Sequence, residues 1–169
     1  MPKPLLTDHA PYFSRYIDLV KEDDSKTAFQ NQNALLADFL STLPYSKADY
    51  AYAEGKWTIK QVVQHLIDCE RIFSYRALWI ARKSNTPLSG FDENAFAEHA
   101  DVSNRTLKDL ADEMIALRAA TQKMFSSFTE ADLQSRGISN NNEITVNAIG
   151  FITLGHVLHH KQIVEERYL

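Results

Sequence analysis

The sequence predicts an all-α domain, a four-helix bundle, and three observations lead there. Apolar residues return at three- and four-residue steps in four segments of roughly 20 residues each, the signature of amphipathic helices. The chain holds only five glycines and five prolines in 169 residues, too few to supply the turns of a many-stranded sheet. Its composition, 44% apolar and 24% charged, is that of one ordinary domain with a sizeable core, so residues 1–169 are read as a single unit.

The elements follow in order. Pro11 to Ile17 reads as a short N-terminal helix with proline in its first turn. From about Thr27, the residues Phe29, Leu35, Leu36, Phe39, Leu40 and Leu43 mark the first long helix, which Pro44 ends. Tyr45 to Lys56 is a tyrosine-rich loop. The second long helix opens on Thr58, with Gln61 completing a capping box, and continues to about Lys83. Ser84 to Val102 is a long connection containing Pro87, Gly90 and Asp92, with a short helix over Glu93–His99. The third long helix spans about Ser103 to Phe128, and Glu130 to Gln134 adds a turn. Gly137 and the polar run Ser139 to Asn142 break the chain before the fourth long helix, which starts near Thr145 or Asn147 and runs almost to Leu169.

Eighteen basic and 22 acidic residues give a net charge of −4, with no cluster of lysine and arginine to follow a phosphate backbone, so nucleic acid is not an expected partner. No run of about 20 apolar residues offers a membrane span, and Met1 to Ala10 lacks the apolar core of a signal peptide. The lone Cys69 excludes an internal disulfide framework and a thiolate-rich zinc site. A cytoplasmic setting is expected.

On the fourth helix Ile149, Ile152, His156, His160 and Ile163 fall within an arc of roughly 80°, so two histidines one turn apart share the inward stripe. That spacing lets two imidazoles hold one metal ion, and His65, on the inward edge of the second helix, is the remaining midhelix histidine able to supply a third. Two readings stand: metal ligands, or core histidines hydrogen-bonded to their surroundings. Cys69, one turn beyond His65 on the flank that also carries Arg76, is either a substitute ligand or a small buried hydrophobe. His159, beside the stripe, either orients a ligand or is a partly exposed spectator. His9 and His99 are read as surface residues. The Glu-x-x-His signature of di-iron bundles and the His-Glu-x-x-His signature of metalloproteases are absent, so a mononuclear site is the expectation.

Glu70 falls near the middle of the second helix's apolar arc, where a carboxylate needs a partner. It is either a proton acceptor in catalysis or half of an ion pair with Arg118 or Arg167. Asp68 lies on the polar side and is expected to be solvated. Trp57, Phe91 and Trp79 are candidates to line an apolar substrate pocket, or are packing residues.

Gly55-Lys56-Trp57-Thr58-Ile59 leading into His65-Leu66-Ile67-Asp68-Cys69-Glu70-Arg71, then Gly90-Phe91-Asp92, then Gly155-His156-Val157-Leu158-His159-His160, together resemble the DinB-like (DinB/YfiT) superfamily. The resemblance covers most of the chain. It implies a bundle of up-down-down-up topology and a divalent metal, commonly nickel or zinc, on three histidines, which here correspond to His65, His156 and His160. It also implies a small-molecule substrate, a homodimer, and metal-dependent hydrolase chemistry or transfer of a low-molecular-weight thiol, as in bacillithiol S-transferases and mycothiol-dependent isomerases. The expected function is therefore activation of a thiol or water, by such an ion, for attack on a small electrophile. The competing reading is a non-catalytic dimeric helical module with structural histidines.

Overall fold

A computed structural model describes residues 1–169. The chain opens with two 3-10 turns, Leu6–Asp8 and Pro11–Phe13, and a single helical turn, α1 (Ser14–Ile17). Then come α2 (Ser25–Thr42), α3 (Ile59–Ala81), the short α4 (Glu93–His99), α5 (Leu107–Ser127), the turn α6 (Glu130–Leu133), a hairpin of β1 (Arg136–Ser139) and β2 (Asn142–Thr145), and α7 (Val146–Arg167). No helix is long and apolar enough to cross a membrane.

Local chemistry sets the helix starts. Thr58 Oγ1 accepts from the Gln61 amide at 3.2 Å and Gln61 Oε1 accepts from the Thr58 amide at 2.8 Å, the reciprocal cap expected for α3. Asp24 caps α2, Asp92 caps α4, and Thr106 rather than Ser103 caps α5.

Residues 136–145 correct the expectation of a simple break. They pair antiparallel, Arg136 opposite Thr145 and Ser139 opposite Asn142. The two loop residues, Asn140 and Asn141, have φ of 50° and 60°, the left-handed pair that a tight two-residue hairpin turn needs and that asparagine tolerates. Leu88 is tied to this hairpin by its amide donating to the Ile138 carbonyl at 2.9 Å and its carbonyl accepting from Asn140 at 3.0 Å. The long connection is thus anchored.

Pairs of contacting residues fix the helix directions. Gln64 meets Arg105 and Ser74 meets Thr121, so α3 and α5 run parallel. Lys26 reaches the Phe128 carbonyl while Asn33 meets Gln122, so α2 and α5 are antiparallel. Trp57, just before α3, accepts from Tyr168, just after α7, whereas Phe73 packs on His156; α3 and α7 are antiparallel. Ser25 donates to Asn147 near both helix starts and Lys47 donates to the Tyr168 carbonyl near both ends, so α2 and α7 are parallel. The order is up-down-down-up.

The core falls into two apolar clusters. One contains Phe29, Phe73, Phe125 and Phe151, the other Leu36, Leu66, Met114 and Val157. On each long helix a buried polar residue stands where one cluster gives way to the other: Gln32 on α2, Glu70 on α3, Arg118 on α5 and His156 on α7. This polar layer positions the site.

One stripe was expected on the last helix, yet every residue of α7 from Val146 to Val157 is buried. The N-terminal segment covers what would otherwise be its outer face. At Gly155 an added Cβ would overlap the Tyr16 carbonyl, so only glycine admits that backbone so closely. His9, expected on the surface, is buried by the same N-terminal packing, and its Nδ1 donates to the Ala10 carbonyl at 2.9 Å. His99 is exposed at the end of α4.

Candidate metal centre

His65 sits in the second turn of α3, and His156 and His160 lie one turn apart on α7. The antiparallel pairing of these helices brings the rings together: centroids are 4.9 Å apart for His65 and His156, 4.9 Å for His65 and His160, and 4.6 Å for His156 and His160. Nε2 of His65 and Nε2 of His156 face each other at 3.1 Å, one ring acting as donor and the other as acceptor.

Cys69 joins them. Its Sγ lies 3.6 Å from both nitrogens of His65, and the donor atoms of His65, Cys69 and His156 are all within 4.8 Å of one another. The predicted histidine triad thus converges as rings, while the tightest set of donor atoms includes the cysteine.

Aromatic side chains enclose the cluster. Trp57 lies against His65, with centroids 4.6 Å apart, and is stacked on His160 at 6.4 Å. Tyr16 presents an edge to His156 and His159, and Phe73 to His156. Burial in this cage, more than mutual repulsion, holds the imidazoles neutral: the pKa of His65 is lowered to about 4, and those of His156 and His160 fall well below the usual value. Burial likewise pushes the Cys69 thiol up, with Glu93 and Asp68 adding to it.

The donor set fits a divalent ion. Neutral imidazoles are the ligating form, and two nitrogens bound tetrahedrally to zinc stand about 3.3 Å apart, close to the 3.1 Å between His65 and His156.

A sequence model of the DinB superfamily matches residues 28–164. The chain belongs to the DinB superfamily. A protein of Geobacillus thermodenitrificans (strain NG80-2) named "Putative metal-dependent hydrolase" is 29% identical over 83 residues, 49% of this chain and 47% of its own length. The chain spans about half the length of that relative. Among solved structures, YfiT from Bacillus subtilis, described as "a probable metal-dependent hydrolase with an unusual four-helix bundle topology", superposes with a TM-score of 0.72 at 20% identity, covering 97% of this chain and 90% of YfiT. A mycothiol-dependent maleylpyruvate isomerase gives a TM-score of 0.63 at 12% identity, over 89% of this chain and 59% of the isomerase. Both likenesses establish the fold, a four-helix bundle.

In this DinB protein the histidine cluster forms one wall of a cavity of about 470 Å³. Trp57 and Phe91 line it, but Trp79 does not: its indole N–H donates to the Thr86 carbonyl away from the cavity. His159 also lines the cavity, and burial and nearby Arg15 lower its pKa.

Glu70 is not among the lining residues. Of the two roles weighed for it, the structure places it in the ion pair, with Arg118 Nε and Nη2 donating to both its oxygens. Asp68 is half-buried rather than fully solvated and accepts from Gln64 at 2.9 Å.

Sequence reasoning missed most of the lining outside α3 and α7. Tyr16 and Arg15 come from the N-terminal turn and Asn140 from the hairpin, both distant in sequence from the bundle positions. Arg76 also lines the cavity, and its signal was legible, because it repeats along the same α3 flank as His65 and Cys69.

Proposed function

We propose that this chain is a metal-dependent enzyme in which His65, His156 and His160 hold one divalent ion, zinc or nickel, beside a pocket for a small electrophilic substrate. The observation that carries this reading is the convergence of three buried, neutral imidazoles on the wall of an aromatic-lined cavity. The metal-dependent relative and the mycothiol-dependent structural neighbour support the same chemistry. An ion held there would supply a Lewis acid that lowers the pKa of a thiol or of water.

The chain's own residues do the rest. Trp57 and Tyr16 pack against the imidazoles, fix their orientation and exclude water from behind them. Cys69, kept protonated by burial, is a poor nucleophile, so the attacking group is a cosubstrate thiol or water entering through the cavity. His159, neutral and on the cavity wall, is placed to accept the proton that group gives up.

Elemental analysis of tag-free protein tests the site. About one divalent ion per chain is expected, and His156→Ala should abolish it; metal-free protein that His156→Ala leaves unchanged refutes the site. Assays of the loaded protein with electrophiles, with and without small thiols, separate transferase from hydrolase. A second reading, a non-catalytic binding module with structural histidines, draws on the His65–His156 hydrogen bond; it requires that no electrophile turn over.

A further inference from the structure

Arg76 stands out among the cavity residues. It is only 8% exposed, yet it appears in no ion pair: no carboxylate oxygen comes within 4.0 Å of its guanidinium nitrogens. Its one hydrogen bond runs from Nη2 to the Ser89 carbonyl at 2.8 Å, and its guanidinium carbon sits 5.5 Å from the centre of the Phe91 ring. Every other strongly buried cation has an acid: Arg118 has Glu70, and Lys60 has Asp49. A buried guanidinium held by one neutral acceptor and a ring face is poorly compensated for the water it has lost. Its remaining donors are a fork shaped for a carboxylate.

The surroundings narrow the class of anion. Phe13, Trp57, Phe73 and Phe91 give the cavity an apolar, largely aromatic lining, suited to a compact hydrophobic body. Glu93 and Glu143 also line it, which opposes a ligand carrying more than one negative charge. Arg15, exposed and spread over the Tyr12 ring at 3.9 Å, adds a positive charge on the solvent side and favours the approach of anions.

We propose that Arg76 is the anion anchor of this cavity, pairing with the carboxylate of a small, largely apolar monocarboxylate whose other end lies against the histidine cluster. The inference rests on the cavity being the substrate site, but it does not require the ion. Arg76 thus selects ligands by charge, and the aromatic walls select them by size.

Benzoate tests this, with benzamide as its uncharged counterpart and inorganic phosphate as a competing anion, each titrated into metal-depleted protein and followed by Trp57 fluorescence and by chemical shifts. Benzoate is expected to bind saturably, and benzamide at least about tenfold more weakly. Arg76→Gln should remove that preference while leaving the metal content of the loaded protein unchanged; Arg76→Lys, which keeps the charge and loses the fork, should restore part of it. Equal binding of benzoate and benzamide by the wild type, tighter binding of phosphate than of benzoate, or an Arg76→Gln protein that keeps the wild-type preference overturns the proposal. Benzoate selectivity in a protein that takes up no metal would leave Arg76 as the anchor and refute the metal centre alone.

Discussion

Arg118 grips both carboxylate oxygens of Glu70, from Nε at 2.9 and 3.1 Å and from Nη2 at 2.7 Å, in a pair whose side chains are 1% and 2% exposed. It joins α5 to α3 at the level where the two apolar clusters meet, at the residue that follows Cys69 on α3.

Removing one partner strands a charge in the core. Glu70→Ala or Arg118→Ala is expected to cost about 3–5 kcal/mol, read as a fall in Tm and in the denaturation midpoint. The double replacement Glu70→Leu with Arg118→Met should recover most of that loss, because an apolar pair of similar volume leaves no charge unpaired.

Gly155→Ala would drive a methyl group into the Tyr16 carbonyl. The N-terminal turn must move, so a loss of about 1–3 kcal/mol is expected. Greater protease susceptibility of residues 1–20 should accompany it, with the helical signal of the bundle unchanged.

Acid should destabilise the metal-free protein before it reaches ordinary carboxylate pKa values. Burial holds His65 at about 4 in the folded state, against about 6.5 in the unfolded chain. Between those values the unfolded state binds the proton and the folded state does not, so stability falls as pH drops through that window and levels below it. His65 alone accounts for about 3 kcal/mol. His156 and His160 shift in the same direction. Thermal melts at pH 7.0, 5.5 and 4.5, referenced to a His65→Gln variant with a shallower profile, measure this; identical slopes would show that His65 is not held neutral by burial.

Single-residue replacements should divide the donor cluster. His160→Ala is expected to weaken metal affinity by at least about tenfold, and Cys69→Ala to leave it within a factor of about two, since three imidazoles already supply the protein ligands proposed for the ion. The reverse pattern, read by competition with a chromogenic chelator, would make the cysteine the third ligand.

What could be read from the sequence was what is decided locally or by period. Thr58 and Gln61 cap α3 through bonds three residues long, and His65, Cys69 and Arg76 share a flank because 3.6 residues make a turn. The hairpin escaped because its strands are four residues each and its turn is Asn140-Asn141 rather than the more telling Asn-Gly. The burial of His9 and the enclosure of α7 depend on an N-terminal segment folding back onto residues far away in sequence, as Arg136 donating to the Thr7 carbonyl across 129 residues illustrates. Periodicity also placed Glu70 in the core but could not choose between Arg118 and Arg167, a matter of which helix lies alongside.

Because α3 and α5 run parallel, the chain between them must travel back along the length of the bundle, and that return strand carries Gly90, Phe91 and Glu93 into the cavity. With the N-terminal turn and the hairpin, it completes an enclosure whose remaining walls are α3 and α7. Part of the cavity's shape is therefore mutable apart from the histidine cluster: grafting a different 84–100 segment onto this bundle would redraw what fits inside while the imidazoles on α3 and α7 stay where they are.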